Sequence, residues 1–290
     1  MTATEATAAD LARFVHPEQV TELRALHVGQ KGRTFSGWFD GRHLFDMARH
    51  ALALGRQAAG VYFVPNPVNP ELAAKRMNTV LNVPRGFGLT HDADVLERRF
   101  LIVDLDPHRF TADAGQECPS AARELALARR IARGFVCPFL ADVGFGRPLV
   151  MCSGNGIHLV YQTRPTPGRE CGGADPIATV LRLVAERYSC VGVAIDTNTF
   201  NPCRMLKVPG TMTRKGEPTR DRPHRPARIL EVPDGWREPH PAPAAPAAAG
   251  RERDPEPDQA RVERGRRKPA ARPAPDAVLF DRGSSGPPVH

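Results

Sequence analysis

The sequence predicts an α+β fold: an N-terminal α/β unit, a βαββαβ unit and a disordered C-terminal tail. Three observations carry this. Phe100-Leu-Ile-Val-Asp-Leu-Asp-Pro107 is an apolar, β-branched run of strand length, as expected of a strand buried on both faces. The segments from it onward follow in the order strand, helix, hairpin, helix, strand. From about Pro239 the composition turns to Pro, Ala, Arg and Gly, with too few apolar anchors to offset the entropy of ordering. The expected modules are therefore 1–99, 100–238 and a Pro/Ala/Arg-rich tail, 239–290.

The elements follow in order. Residues up to about Leu11 read as a frayed terminus. Val20–Val28 alternates loosely, Gly29–Gly32 form a turn and Thr34–Phe39 returns, which predicts a β-hairpin ended by Asp40-Gly41. Leu44–Leu54 places apolar residues at helical spacing, with Gly55 as its cap. Val61–Val64 is a short strand cut by Pro65-Asn-Pro67, and Glu71–Leu81 predicts a short helix. After the run ending at Pro107, Ala121–Phe135 is the most helix-like segment, with Leu125, Leu127 and Ile131 as anchors and Gly134 at its end. Leu149–Cys152 and Ile157–Tyr161 flank Ser153-Gly-Asn-Gly156, and Asn-Gly between apolar runs is a strong hairpin signal. Pro176–Tyr188 is a second amphipathic helix, and Val191–Ile195 a strand that delivers Asp196 at its end.

Composition narrows the partners. The 290 residues carry a net charge of +8 and a pI near 9.6, a balance that favours a polyanion, nucleic acid first. Met1–Thr7 has neither the charged nor the apolar region of a secretory signal. No apolar run reaches the roughly 18 residues that span a bilayer. Both predict a cytoplasmic protein without a membrane partner. Six scattered cysteines form no Cys-x-x-Cys clip, which argues against zinc and disulfides. There is no internal repeat and no phosphate-binding G-x-x-x-x-G-K-[ST] loop.

The chemistry sits at the strand ends. Residues two apart on a strand share a face, so Asp104 and Asp106 project the same way and repel unless a cation lies between them. An isolated Asp-x-Asp is more often a strand end where Asp-Pro opens a turn. Here it has company. Ser153, Gly154 and His158 lie on a hairpin able to pair beside it, and Asp196 ends a further strand. Three carboxylates and a histidine at one sheet edge suit two-metal nucleotidyl transfer with Mg²⁺ or Mn²⁺. The glycine-flanked turn allows backbone N–H groups to approach phosphate, and His158 can donate a charge-assisted bond to it. Downstream, Arg204 and Lys207 alternate with Met205, Leu206 and Val208, which points to cations held on a packed segment for phosphate contact. Arg214 and Lys215 read equally well as a solvated basic loop. Substituting Asp104 or Asp106 is expected to abolish activity with little effect on folding.

These residues resemble a known family. Asp104-x-Asp106, Ser153-Gly-Asn-Gly-x-His158 and Ile195-Asp196 are similar, in order, to the three motifs of the archaeo-eukaryotic primase superfamily. The match is closer to the primase–polymerase domains of plasmids, phages and integrated elements. There the third motif is commonly followed by an Asn-Pro-x-Arg…Pro-Gly-Thr segment, as in Asn201-Pro-Cys-Arg204 and Pro209-Gly-Thr211. The resemblance spans roughly Val20 to Pro233. It implies a two-module primase core, the N-terminal unit packed on an RRM-like unit with the active site between them. It implies Asp104, Asp106 and Asp196 as catalytic metal ligands, Ser153 and His158 at the incoming nucleotide's phosphates, and Arg204 and Lys207 as further phosphate contacts. Single-stranded DNA template and NTP or dNTP would be the partners. The zinc stem and fused helicase of many relatives have no counterpart here, which leaves either a replicative helicase encoded separately or a shortened derivative, and primer extension is favoured over initiation. The alternative is a non-catalytic DNA-binding module for replication initiation or recruitment. A rolling-circle nuclease fits poorly, because no His-x-His pair is present.

Overall fold

The computed structural model describes residues 1–84, 86–109, 117–168 and 175–236. The expected disordered tail from 239 lies outside them. The chain forms helix α1 (Ala3–Leu11), the hairpin β1 (Val20–Val28) and β2 (Arg33–Asp40), helix α2 (Leu44–Leu54) and strand β3 (Gly60–Phe63). A 3₁₀ turn at Pro70–Lys75, the short β4 (Leu81–Asn82) and the long β5 (Glu97–Pro107) follow. Next come α3 (Ala122–Ile131), α4 (Cys137–Asp142), β6 (Leu149–Cys152), β7 (Ile157–Pro167), α5 (Pro176–Tyr188) and β8 (Val193–Asp196). The last described stretch holds β9 (Leu206–Lys207), β10 (Met212–Thr213), β11 (Arg225–Pro226) and β12 (Arg228–Glu231). Among these residues no helix is long and apolar enough to cross a membrane.

The α+β expectation holds. Two five-stranded sheets run β4-β2-β1-β3-β9 and β12-β6-β7-β5-β8, with β10–β11 as a separate two-stranded ribbon. Within the second sheet the βαββαβ strands lie in the order 2-3-1-4, all antiparallel, the ferredoxin-like arrangement. The expected boundary at 99/100 falls inside β5. Residues beyond it return to the first sheet as β9, which pairs with β3 through Tyr62↔Lys207 and Phe63↔Leu206.

Strand parity decides where the site lies. On β5, Leu101, Val103 and Leu105 pack against Ala128, Leu140, Leu181 and Val184 on the helices behind the sheet. Phe100 and Ile102 face the other way, into a core shared with Leu23, Phe39, Met47 and Phe63 of the first sheet and its helix. β7 follows the same rule, with Leu159 and Tyr161 toward the helices and Val160 toward the shared core. The even-numbered side chains of β5 and β7 therefore look at the first sheet. Arg98 and Asp175, a buried pair at 2.6 Å, tie the start of β5 to the N-cap of α5. Trp236 packs on Phe14 and Phe100 and donates to Arg13 O at 2.8 Å, closing the shared core.

Three local expectations are corrected. The terminus is not frayed: Thr2 and Glu5 form a capping box, Leu11 is fully buried, and Thr7 Oγ1 donates to Pro209 O at 3.2 Å. The Thr-x-x-Glu signature was present in the sequence, but the alanine-rich pattern masked the helix. Glu71–Leu81 is a single 3₁₀ turn followed by an edge strand, because Pro70 starts it and Asn78 takes a left-handed φ of 52°. The helix through Gly134 does not stop there. It widens into a π turn over Ala132–Val136 and continues to Asp142.

A candidate nucleotidyl-transfer cleft

Two rows of side chains, one from each sheet, meet at a cleft of about 550 Å³, which all of them line except Asp196. The row from the second sheet runs His158, Asp104, Asp196 across β7, β5 and β8, each in register with the next. Asp104 continues the face set by Phe100 and Ile102, which is why an apolar strand ends with a carboxylate in the cleft. The row from the first sheet runs Arg24, Tyr62, Lys207 across β1, β3 and β9. Arg24, Tyr62, Asp104, Asp106, His158, Arg204 and Lys207 all line the cleft, with Arg109, Asn155 and Lys215 at its side.

Asp104 is only 7 % exposed. His158 Nε2 lies 3.2 Å from its Oδ1, and Arg204 Nη2 lies 3.2 Å from its Oδ2 and 3.3 Å from Asp196 Oδ2. Burial opposes ionisation of Asp104. The charge of His158, then that of Arg204, outweighs it and holds the carboxyl below the usual range. Asp106 sits at the mouth, its side chain 52 % exposed, with Arg109 Nη2 at 4.0 Å. Burial first, and then the Asp104 charge, push its pKa up. The two aspartates, equivalent in sequence, are thus different groups. The expectation that either can be replaced without cost to folding is corrected for Asp104: its removal leaves the buried His158 without its counter-charge and Arg204 with Asp196 alone.

The hairpin turn is built for close approach. A Cβ at Gly156 would lie 2.9 Å from Leu105 O, 3.0 Å from Asp106 Oδ1 and 3.5 Å from Asp104 Oδ1, so only glycine lets both carboxylates sit over the turn. Ser153 lines the cleft, but its Oγ is engaged, accepting from Gly156 N at 2.9 Å. Gly154 turns elsewhere. Its φ is +96°, and a Cβ there would meet Arg225 O at 2.7 Å and Thr213 at 2.8 Å. Asn155 Oδ1 accepts from Ser120 N at 3.0 Å, which fastens the turn to the start of α3.

Lys207 is buried, and its Nζ lies 4.2 Å from the centre of the Tyr62 ring. Burial, with Lys215 nearby, lowers its pKa from 10.5 to about 8. Arg214 is a fastener: its Nη1 donates to Ala58 O at 3.2 Å and also to Gly55 O. Lys215 faces Glu117 at 3.5 Å. Arg24, Tyr62 and Asn155 were not singled out in the sequence. Arg24 occupies a polar position in an alternating strand, a signal shared by any solvent-facing residue.

Among the described residues no three His, Cys, Asp or Glu side chains gather as a ready metal cluster. The donors nevertheless suit a hard cation. Asp104 Oδ1 is buried, with His158 Nε2 3.2 Å away but no aligned hydrogen bond, and it shares the space over Gly156 with Asp106 Oδ1. Mg²⁺ is typically held by one or two carboxylates, with substrate phosphates and water completing the shell. An Asp104–Asp106 pair meets that requirement.

No protein-family model matches the chain, and no curated protein matches it. Among solved structures it is similar to the polymerase domain from Mycobacterium tuberculosis ligase D in complex with DNA. The identity is 15%, over 77% of this chain and 79% of that one, with a TM-score of 0.39. At that distance the likeness says nothing of chemistry.

Proposed function

We propose that the chain is a primase–polymerase-type nucleotidyltransferase that makes or extends primers on single-stranded DNA, in the replication of a mobile element. The observation that carries this reading is the facing of the two rows. The Asp104, Asp106 and His158 side chains share one cleft with the cations Arg204 and Lys207 and with Arg24, which a fork onto buried Glu22 holds in place. A carboxylate edge opposed by a cationic wall is the arrangement needed to hold a metal-bound triphosphate against an attacking hydroxyl. The ordered motif resemblance supports the same reading independently of geometry.

In this reading Asp104 and Asp106 hold the cation, Mg²⁺ or Mn²⁺, and Asp196 completes the catalytic carboxylates. When bound, the ion supplies neutralisation of the triphosphate and a lowered pKa for the primer 3′-hydroxyl. His158, oriented by Asp104, donates to a phosphate oxygen. Lys207 and Arg204 take the β- and γ-phosphates. Ser153 and Gly154 act through the turn they shape, which brings the Gly156 backbone under the carboxylates. The wider basic rim, with Arg109 and Lys215, follows the template backbone. NTP or dNTP is the substrate.

The test is incubation of the purified chain with primed and unprimed single-stranded DNA, Mg²⁺ or Mn²⁺, and labelled NTPs or dNTPs. Metal-dependent incorporation is expected. Salt-sensitive DNA binding without incorporation in any arm would replace the reading by the non-catalytic DNA-binding module.

A further inference from the structure

Asp104 and Asp196 stand opposite each other in register on β5 and β8. Carboxylates so placed repel unless a cation lies between them. In this fold the cation is Arg204, whose Nη2 alone serves both acids, at 3.2 and 3.3 Å. That is a weak way for an arginine to bind. The strong arrangement is a two-nitrogen fork onto one carboxylate at about 2.7–2.9 Å. Among the described residues Nε and Nη1 of Arg204 have no hydrogen-bond partner, and the side chain lines the cleft. Asp104 Oδ1, buried and faced by His158 Nε2 at 3.2 Å without an aligned hydrogen bond, belongs to the same carboxylate. A small divalent ion drawn to Asp104 therefore competes with the guanidinium for the carboxylate it bridges.

Resting on the nucleotidyltransferase reading, we propose that Arg204 is an exchangeable counter-ion. A divalent cation displaces its guanidinium from Asp104 and Asp196, and the freed guanidinium takes a phosphate oxygen of the incoming triphosphate. Phosphate suits the exchange because it matches the planar fork that the bridging contact leaves unused. Arg204 is then a positioning residue that couples the two ligands. Because the coupling is reciprocal, the cation raises triphosphate affinity and the triphosphate raises cation affinity by the same factor.

The test measures Mn²⁺ binding to the full chain from the paramagnetic resonance of free Mn²⁺, with and without a non-hydrolysable nucleoside triphosphate. Arg204→Gln removes the competitor. Without nucleotide it is expected to bind Mn²⁺ roughly tenfold tighter than the wild type, with weaker triphosphate binding and little remaining coupling. Lys207→Gln removes a cation from the opposite wall and is expected to leave Mn²⁺ affinity within about threefold, which separates direct competition from the general field of the cleft. Unchanged or weaker Mn²⁺ binding in Arg204→Gln, or an equal gain in Lys207→Gln, overturns the proposal. Should Arg204→Gln fail to fold, the wild type decides. Mn²⁺ should speed phenylglyoxal modification of Arg204, read by mass spectrometry, and added triphosphate should slow it again. No acceleration by Mn²⁺ overturns the proposal. If the wild type binds no Mn²⁺ even with triphosphate, the nucleotidyltransferase reading falls and the inference with it. If it binds both while Arg204 reactivity stays constant, only the inference falls.

Discussion

Lys207 lies over the Tyr62 ring, Nζ to ring centre 4.2 Å, on adjacent strands paired in register. Buried in this way, the ammonium loses proton affinity, and its pKa falls to about 8. A lysine depressed in the folded state opposes folding while charged. The penalty is full below pH 8 and is relieved between pH 8 and the ordinary value of 10.5. Lys207→Met is therefore expected to raise stability at pH 7 by about 2 kcal/mol, with the gain shrinking above pH 8. Urea unfolding across that pH range measures it. In the wild type, triphosphate affinity should fall as pH rises through about 8, since the free lysine then has to gain a proton to bind. Lys207→Met should lose that pH dependence together with about tenfold or more in affinity.

The two motif aspartates should separate by stability. Asp104→Ala leaves the buried His158 without its counter-charge and Arg204 with Asp196 alone, and is expected to cost about 3 kcal/mol. Asp106→Asn removes a half-exposed carboxylate that repels its neighbour, so stability should stay within about 0.5 kcal/mol of the wild type. Both should abolish incorporation. Thermal melts paired with the primer-extension assay distinguish them. Equal destabilisation would contradict the asymmetry described above.

Gly156→Ala tests the turn beneath the carboxylates. The added methyl meets Leu105 O and Asp106 Oδ1 at or under 3.0 Å. Since the carbonyl belongs to a central strand, the turn must shift. The expected result is a loss of about 1–3 kcal/mol and a larger relative fall in incorporation than in single-stranded DNA binding. Denaturant titration and a binding isotherm on the same preparation separate the two effects.

The N-terminal helix should prove part of the fold. Leu11 is fully buried in the shared core, so Leu11→Ala is expected to cost about 2–4 kcal/mol. Thr2→Ala breaks the capping box at an exposed end and should cost about 1 kcal/mol or less. Chemical denaturation of both variants measures the difference. A near-zero effect of Leu11→Ala would return these residues to a frayed terminus.

The sequence by itself determined the order of the βαββαβ elements and the placing of two aspartates on one face of a strand. Both follow from local rules: periodicity, turn chemistry and the alternation of side chains. It determined the hairpin between Cys152 and Ile157 as well, because Asn-Gly leaves little else for that stretch to do. Only the tertiary structure decided which sheet those aspartates face, and therefore what opposes them. The Arg24, Tyr62, Lys207 row depends on β9, a two-residue strand far along the chain that joins the first sheet, and so short a strand carries no periodicity to read. The same distance in sequence hides the difference between Asp104 and Asp106. Burial and ion pairing are set by partners on β7 and on the segment after β8, and only folding brings those partners within reach.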